Sequence, residues 1–568
     1  MRLKITTSKN SKSLYVIKSI RIHGKNTSKI VEKLGTMKDL LPLHNNSEED
    51  VLSWTREYID SLNQKEEQEK QNILVSYSSK QIPKNNQRCF NGGYLFLQDI
   101  FHDLKLDKIC DDISSRHHFD FNLTDILAKL LYTRILYPSS KLSSFESSKK
   151  FIEQPSFTLH QIYRSLDILC QEKDFIESSV YKNSTSVINR NTSILYYDCT
   201  NYFFEIEEAD GLKQYGKSKE HRPNPIVQMG LLMDGDGVPL SFCIHPGNQN
   251  EQQSLKPIEK QVMKEFELSK FIVCTDAGLA SYENRKFNTK GKRSYIVTQS
   301  LKQLKGHLKQ WALNPEDWRL PNNDILVNLN EIEEDKDTIY YKERWIKENG
   351  LEQRLIVSYS PKYKAYQRGI RSKQIDRAKT MVEKQTVINQ RNQNSPKRFI
   401  EETKTTWQGE VAKETYITLN QDTIDKEEQY DGFYGVCTTL EDPIEQILAI
   451  NSRRWEIEES FRIMKTEFSA RPIYVQTDKR IIAHFLTCFL SLLIYRILEK
   501  KLDEKYSTDK IIQTLKDMNF YEVPGEGYIP IYTRTDITDS LHEAFHFRTD
   551  TQIVSTKIIK KIIKNTKY

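Results

Sequence analysis

Between Ile450 and Phe468 the chain reads INSRRWEIEESFRIMKTEF. Wound as an α-helix at about 100° per residue, Ile457, Phe461, Met464 and Phe468 form one narrow apolar stripe. Asn451, Arg454, Glu458 and Lys465 gather on a neighbouring face, with one carboxylate between a guanidinium and an ammonium. That segregation suits a site that handles metal ions and phosphate groups. Two more carboxylates stand where such a site would need them. Ser193 to Glu205, SILYYDCTNYFFE, is β-branched and aromatic and reads as a buried strand with Asp198 at its middle. An acid inside an apolar strand is costly to bury unless it is paired or binds a metal. Phe271 to Ser281, FIVCTDAGLAS, reads as a short strand ending at Asp276. Ligands collect at the carboxyl ends of strands in α/β sheets, so two strand acids and one helix acid are expected to converge.

The elements that must position them follow from the pattern along the chain. From Ser193 onward the order is strand with acid, a hairpin over Pro225 to Gly247, a helix over Glu251 to Phe266, the Asp276 strand, and a strand over Arg293 to Thr298. This predicts an α/β arrangement, a mixed sheet with a helix packed on it. The hairpin turn Asp234-Gly235-Asp236-Gly237 makes Asp234 and Asp236 turn residues rather than ligands. Residues 300–440 hold short β-like runs (Asp324 to Leu329, Arg354 to Ser358, Glu414 to Leu419, Gly432 to Thr438) and a basic helix over Lys362 to Lys384, and read as an insertion. The expected organisation is an N-terminal β unit and helix over 1–75, a helical region over 76–190, a catalytic domain split between 191–299 and 441–500, the insertion, and a helical region with a basic tail over 501–568. In the N-terminal unit, Leu14 to Ile22 reads as a strand, His23 to Asn26 as a turn, and Ser47 as the start of a polar helix.

Composition narrows the class. The 568 residues carry 84 Lys and Arg against 78 Asp and Glu, a net charge of +6. The distribution matters more than the sum. Met1 to Ile30 holds eight basic residues and no acid, Lys362 to Lys379 seven against one, and Ser555 to Tyr568 five lysines and no acid. Together these runs suit a polyanion partner, and Lys141 to Lys150 with Arg164 are further candidates for contact with it. The eight cysteines are scattered without a zinc-like spacing, which argues for a reducing compartment; Cys199, Cys243, Cys274 and Cys488 read as small core residues. Ile481 to Ile497 is apolar but short of a membrane span and contains His484 and Arg496, so a buried helix is expected.

YYDCTNYFFE, VCTDAGLAS and the Asn451–Lys465 helix together resemble the bacterial insertion-sequence transposases, whose RNase H-like domain carries a DDE acid triad. One branch of that family has a Y-R-E-K signature on a helix. Its positions fall here on Asn451, Arg454, Glu458 and Lys465, with asparagine in place of tyrosine. Ala470 to Leu492, Gly247-Asn248 with Glu251, and the segment from Leu355 to Arg371 also resemble the family. The resemblance implies an RNase H-like mixed sheet with flanking helices, interrupted by the β-rich insertion. It implies that Asp198, Asp276 and Glu458 bind two Mg²⁺ or Mn²⁺ ions and catalyse hydrolysis and strand transfer at DNA phosphodiesters. Arg454, Lys465, Arg462 and Asn451 are the implied DNA contacts; Tyr434 and Trp407 read as ordinary packing residues, with aromatic contact to an extruded base as the alternative. The implied partners are double-stranded DNA, as terminal inverted repeats and target, and a second copy in a synaptic homodimer. The implied location is cytoplasmic, on the nucleoid. A catalytically weak, transposase-derived DNA-binding protein and a structure-specific nuclease of the same fold are the alternatives.

Overall fold

The computed structural model describes all residues except 9–10, 23–24, 70–80, 321–322, 333–336, 385–394 and 406–410. The expected turn at His23-Gly24 and the aromatic Trp407 therefore lie outside the described residues. The chain divides into two compact units, Met1–Asn86 and Gln87–Tyr568.

The first unit is a three-stranded antiparallel sheet, Arg2–Ser8, Ser11–Ile22 and Lys25–Thr36, with a helix over Glu48–Glu69. Leu14, Met37, Leu40 and Val51 form its core. Ser47 caps the helix through its hydroxyl, which accepts the Asp50 N–H at 3.3 Å, as the sequence predicts. The first strand was not expected, because nearly all its side chains are exposed and it shows no apolar alternation.

The second unit is built on a ten-stranded mixed sheet. In chain order its strands are β1 (Ile194–Phe203), β2 (Ile226–Asp234), β3 (Pro239–Pro246), β4 (Ile272–Thr275), β5 (Ser294–Gln299), β6 (Trp318–Leu320), β7 (Asn323–Val327), β8 (Tyr340–Glu348), β9 (Leu351–Tyr359) and β10 (Phe433–Thr438). Their spatial order is 7-6-8-9-10-5-4-1-2-3. Strands β1 to β3 are antiparallel neighbours, and β4 and β5 run parallel to β1. Within the insertion β10 pairs with β5 and β9 with β10, so β6 to β9 extend the same sheet, while Ile400–Thr405 and Val411–Leu419 pair in a two-stranded sheet of their own. Strands β6 and β8 escaped the sequence reading; β8, YYKERWIKE, is too charged to look like one.

Helices cover both faces. On one lie α1 (Leu123–Leu136), α2 (Leu159–Gln171) and, packed against both, a 24-residue helix over Asp478–Lys501, which follows the signature region. This helix is long and apolar enough to span a membrane, yet nearly every side chain from Ile481 to Leu498 is buried in the protein. His484 is buried with them and faces the Ala470 carbonyl at 3.1 Å. The opposite face of β1 to β3 is covered by α3 (Leu255–Glu265), through Leu255, Ile258 and Val262. A long basic helix, α4 (Pro361–Glu383), leaves the end of β9. Its Arg371 is buried in a bidentate pair with Asp431.

The C-terminal region is more than helices and a tail. Asn519–Val523 pairs with Cys89–Asn91 in a second, four-stranded sheet that also holds Gly527–Pro530 and Val554–Ser555. Of the basic residues proposed as surface contacts, one is buried and one stays exposed beside an acid. Lys141 is buried, with its pKa pushed down to about 7 by desolvation, and Arg164 pairs with Asp120. Among the described residues every cysteine is a free thiol; Cys199, Cys274 and Cys488 are buried and Cys243 is half-buried.

Phe485, fully buried on the Asp478–Lys501 helix, meets the Tyr202 ring of β1 edge-on at 4.8 Å. Phe485→Ala is expected to lower stability by about 3–5 kcal/mol through lost burial and a cavity between helix and sheet, read as a lower urea midpoint at unchanged m-value.

Candidate active site

Alternation along β1 decides where its acid points. Leu195, Tyr197 and Cys199 pack toward α3, whereas Tyr196 and Tyr202 belong to the core on the opposite side. Asp198 and Thr200 share the parity of the second set and face away from α3. The same parity holds in the neighbours, where Cys274 of β4 and Ile296 of β5 belong to that core. Tyr196 is level with Cys274, and Thr275 with Val297. Continuing these parallel registers sets Asp198, Asp276 and Thr298 in one row across three strands. Asp276 stands one residue beyond the end of β4, where the strand ladder stops.

The signature segment covers this row as two helices, α5 (Ile444–Ser452) and α6 (Trp455–Lys465), not as the single helix expected. The backbone tightens between them: the N–H groups of Arg454 and Ile457 donate to the carbonyls of Asn451 and Arg454, three residues back. Side-chain anchors hold both sides of the break. Asn451 is buried on α5 and donates through Nδ2 to the Tyr434 hydroxyl of β10 at 3.2 Å. Arg454, at the break, donates through Nη1 to Thr298 Oγ1 at 2.8 Å. At the far end of α6, Lys465 Nζ donates to Thr200 Oγ1 at 2.5 Å. Ile457, Phe461 and Met464 are buried, as the apolar stripe predicts.

Glu458 is exposed between these two anchors. It lies about 40° round the helix from Arg454 and about 20° from Lys465, so it sits on the face that both cations direct toward the sheet. Its neighbour Glu459 is taken by Arg462 in a two-pronged pair at 2.6 and 2.8 Å, and Arg462 also reaches Glu467. Arg462 is thus bound to acids on its own helix and the loop after it. Among the described residues, Asp198, Asp276 and Glu458 form no ion pair. Asp198 accepts the Cys199 N–H at 2.7 Å and Asp276 the Leu279 N–H at 3.1 Å. Asp234 is a turn residue, buried against Arg190 and accepting the N–H groups of Asp236 and Val238.

Burial raises the Asp198 pKa to about 6; the Asp276 charge adds to the rise, and Lys219 and Arg454 oppose it. Lys465 is pushed down to about 8 by desolvation and by Lys219. Lys219 comes from the loop between β1 and β2, and its Nζ donates to the Cys199 carbonyl at 2.5 Å. The sequence reading missed four groups: Lys219, Thr200, Thr298, and the hydrogen-bonding role of the Tyr434 phenol. The basic stretch KSKEHR after the Asp198 strand was the available signal for Lys219. The phenol of Tyr434 also meets Thr298 Oγ1 at 2.8 Å.

Two carboxylates side by side, each with lone pairs not committed to a cation, are a donor set for a hard divalent ion. The third does not join them at contact range: among the described residues no three His, Cys, Asp or Glu side chains are grouped closely enough to hold one metal.

No protein-family model and no curated protein matches the chain. Among solved structures it is similar to a cryo-EM structure of the piggyBac transposase synaptic complex with hairpin DNA. The identity is 8% and the TM-score 0.36, over 85% of this chain and 88% of that one. A likeness this distant bears on neither the chemistry nor the detailed fold.

The Asp198 carboxyl holds its proton more tightly in the fold than in the unfolded chain. Its ionisation therefore costs stability as pH rises from about 4 to about 6, and the loss persists at higher pH. Asp198→Asn is expected to stabilise the protein by on the order of 2–3 kcal/mol at about pH 7.5. The gain should shrink as pH falls through 6 and vanish below about 4, as measured by thermal unfolding against pH.

Proposed function

We propose that this protein is a DNA transposase of the DDE class, cleaving phosphodiesters at the ends of a mobile element and joining the freed ends to target DNA. The observation that carries the reading is the row of Asp198 and Asp276 on adjacent parallel strands, beneath a helix that brings Arg454, Glu458 and Lys465 to the same face. The strand order 3-2-1-4-5, with β4 and β5 parallel to β1, fits an RNase H-like core.

In this reading Asp198 and Asp276 would hold the divalent metal, and Glu458 would be the third carboxylate of the site. The metal supplies a Lewis acid that stabilises charge on the attacking and leaving oxygens. The chain's own groups do the rest. Arg454 and Lys465 flank the acids and neutralise the phosphate that must approach them. Thr298 and Thr200 hold these two cations against the sheet, so that they are oriented before substrate arrives. Water is the first nucleophile and the freed 3′-OH the second. The exposed lysines of α4, among them Lys362, Lys373 and Lys379, suit the DNA flanking the site. A homodimer that pairs two ends, and a place on the nucleoid, complete the proposal.

The separation of Glu458 from the aspartate pair favours one second reading, a DNA-binding protein with little or no catalysis. Metal binding distinguishes the two. Mn²⁺ is expected to raise the thermal midpoint of the wild type and leave that of Asp198→Asn unmoved; equal shifts would remove the metal site.

For catalysis, a supercoiled plasmid carrying the DNA that flanks this chain's coding sequence should be nicked in Mg²⁺. Asp198→Asn, Asp276→Asn and Glu458→Gln should each lose at least about 1,000-fold in rate while still retarding the end fragment on a gel. Pre-cleaved ends should join a target plasmid; hydrolysis without joining would identify a nuclease instead.

A further inference from the structure

Beside the acids sits a hydroxyl pair whose hydrogens can be counted. Thr298 Oγ1 accepts from Arg454 Nη1 at 2.8 Å, and Tyr434 Oη accepts from Asn451 Nδ2 at 3.2 Å. The two hydroxyls are 2.8 Å apart and share one hydrogen bond, in which either can be the donor. If Tyr434 donates, Thr298 has accepted twice and its own hydrogen is left over. If Thr298 donates, Tyr434 has accepted twice and its hydrogen is left over. Each hydroxyl carries one hydrogen and two acceptor lone pairs, so either arrangement leaves one O–H without an acceptor among the described residues. Both residues are half-buried, so the leftover donor is not sealed in the core.

Its surroundings say what it faces. Thr298 is level with Asp276 in the parallel register and holds the Arg454 guanidinium. Among the described residues no carboxylate accepts from either hydroxyl. An acceptor bearing several oxygens, drawn in by Arg454, would meet the O–H and the guanidinium together.

We propose that Thr298 and Tyr434 form a phosphate-binding element of the active site, whose surplus hydroxyl hydrogen donates to a non-bridging oxygen of the phosphodiester that Arg454 contacts. This rests on the transposase reading and assigns it two further substrate-contacting residues. Tyr434 belongs to β10, the strand that returns the chain from the insertion to the sheet. The element is complete only when the insertion has folded back onto β5.

The hydrogen count makes the test specific. Tyr434→Phe leaves the Thr298 hydrogen as donor, and Thr298→Val leaves that of Tyr434; only the double variant removes every hydroxyl donor. Single-turnover nicking of the flanking-DNA plasmid in Mg²⁺ should fall less than about 10-fold in each single variant. In the double it should fall about 100- to 1,000-fold, more than the product of the singles, with end-fragment binding within about threefold. In the Tyr434→Phe background, Thr298→Ser, which restores one hydroxyl donor, should recover most of the rate that Thr298→Val loses there. Thermal midpoints report whether each variant folds. If the element only props Arg454 in place, Thr298→Val alone already does the damage and the double is no worse; that outcome, or wild-type nicking by the double, overturns the proposal while Asp198→Asn stays inactive. If the wild type does not nick, or Asp198→Asn nicks equally well, the transposase reading fails and takes this inference with it.

Discussion

Two carboxylates side by side, Asp198 in the middle of β1 and Asp276 just past the end of β4, are the constraint around which the second unit is arranged. Asp198 stands beside Asp276, and burial and the neighbouring charge both oppose ionisation of Asp198. A protein selected only for stability would replace them with a paired or apolar couple. Here the compensation is partial and comes at one remove. Lys219 is tied to a backbone carbonyl and Arg454 to a threonine hydroxyl, so both cations lower the repulsion without neutralising either acid through contact. The acids keep their lone pairs, and the cations keep donors for an incoming anion.

That arrangement explains the break between α5 and α6. A straight helix through Asn451, Arg454 and Lys465 would have to meet the sheet along one line. Instead the tightened turn lets α5 press Asn451 onto β10 while α6 spans from Thr298 on β5 to Thr200 on β1. The sheet supplies the anchoring hydroxyls; the helices supply the charges. Stability of this layer comes from the apolar stripe of α6 and from the buried helix over Asp478–Lys501 behind it.

Much of this was legible in the sequence because it rests on contradiction. An aspartate inside SILYYDCTNYFFE violates the rule that buried strands are apolar, and so announces itself. Asp276 shows itself by ending a strand, and Glu458 by lying between two bases on one helical face. What stayed hidden breaks no rule. Threonine and tyrosine are ordinary strand residues, so Thr298 and Tyr434 look like β-formers until their hydroxyls are seen to meet. The helical period runs unbroken through Arg453 and Arg454, because a turn tightened to three-residue hydrogen bonds hardly disturbs the spacing of apolar side chains. That the insertion's strands join the main sheet stayed hidden because β10 lies far along the chain from β5, and strand pairing over such distances leaves no local trace.

The second sheet has a bearing on synthesis. Three of its four strands come after Asn519, and the fourth, Cys89–Asn91, is made long before them. On the ribosome that early strand emerges more than four hundred residues ahead of its sheet partner, with the Lys150 carbonyl as a nearer acceptor for the Asn91 N–H. The closing of this small sheet is a contact of very high sequence separation, which is slow to form and late to be rewarded. A chain that stops short of Asn519 therefore keeps Cys89–Asn91 without its strand partner, an edge open to pairing with other chains.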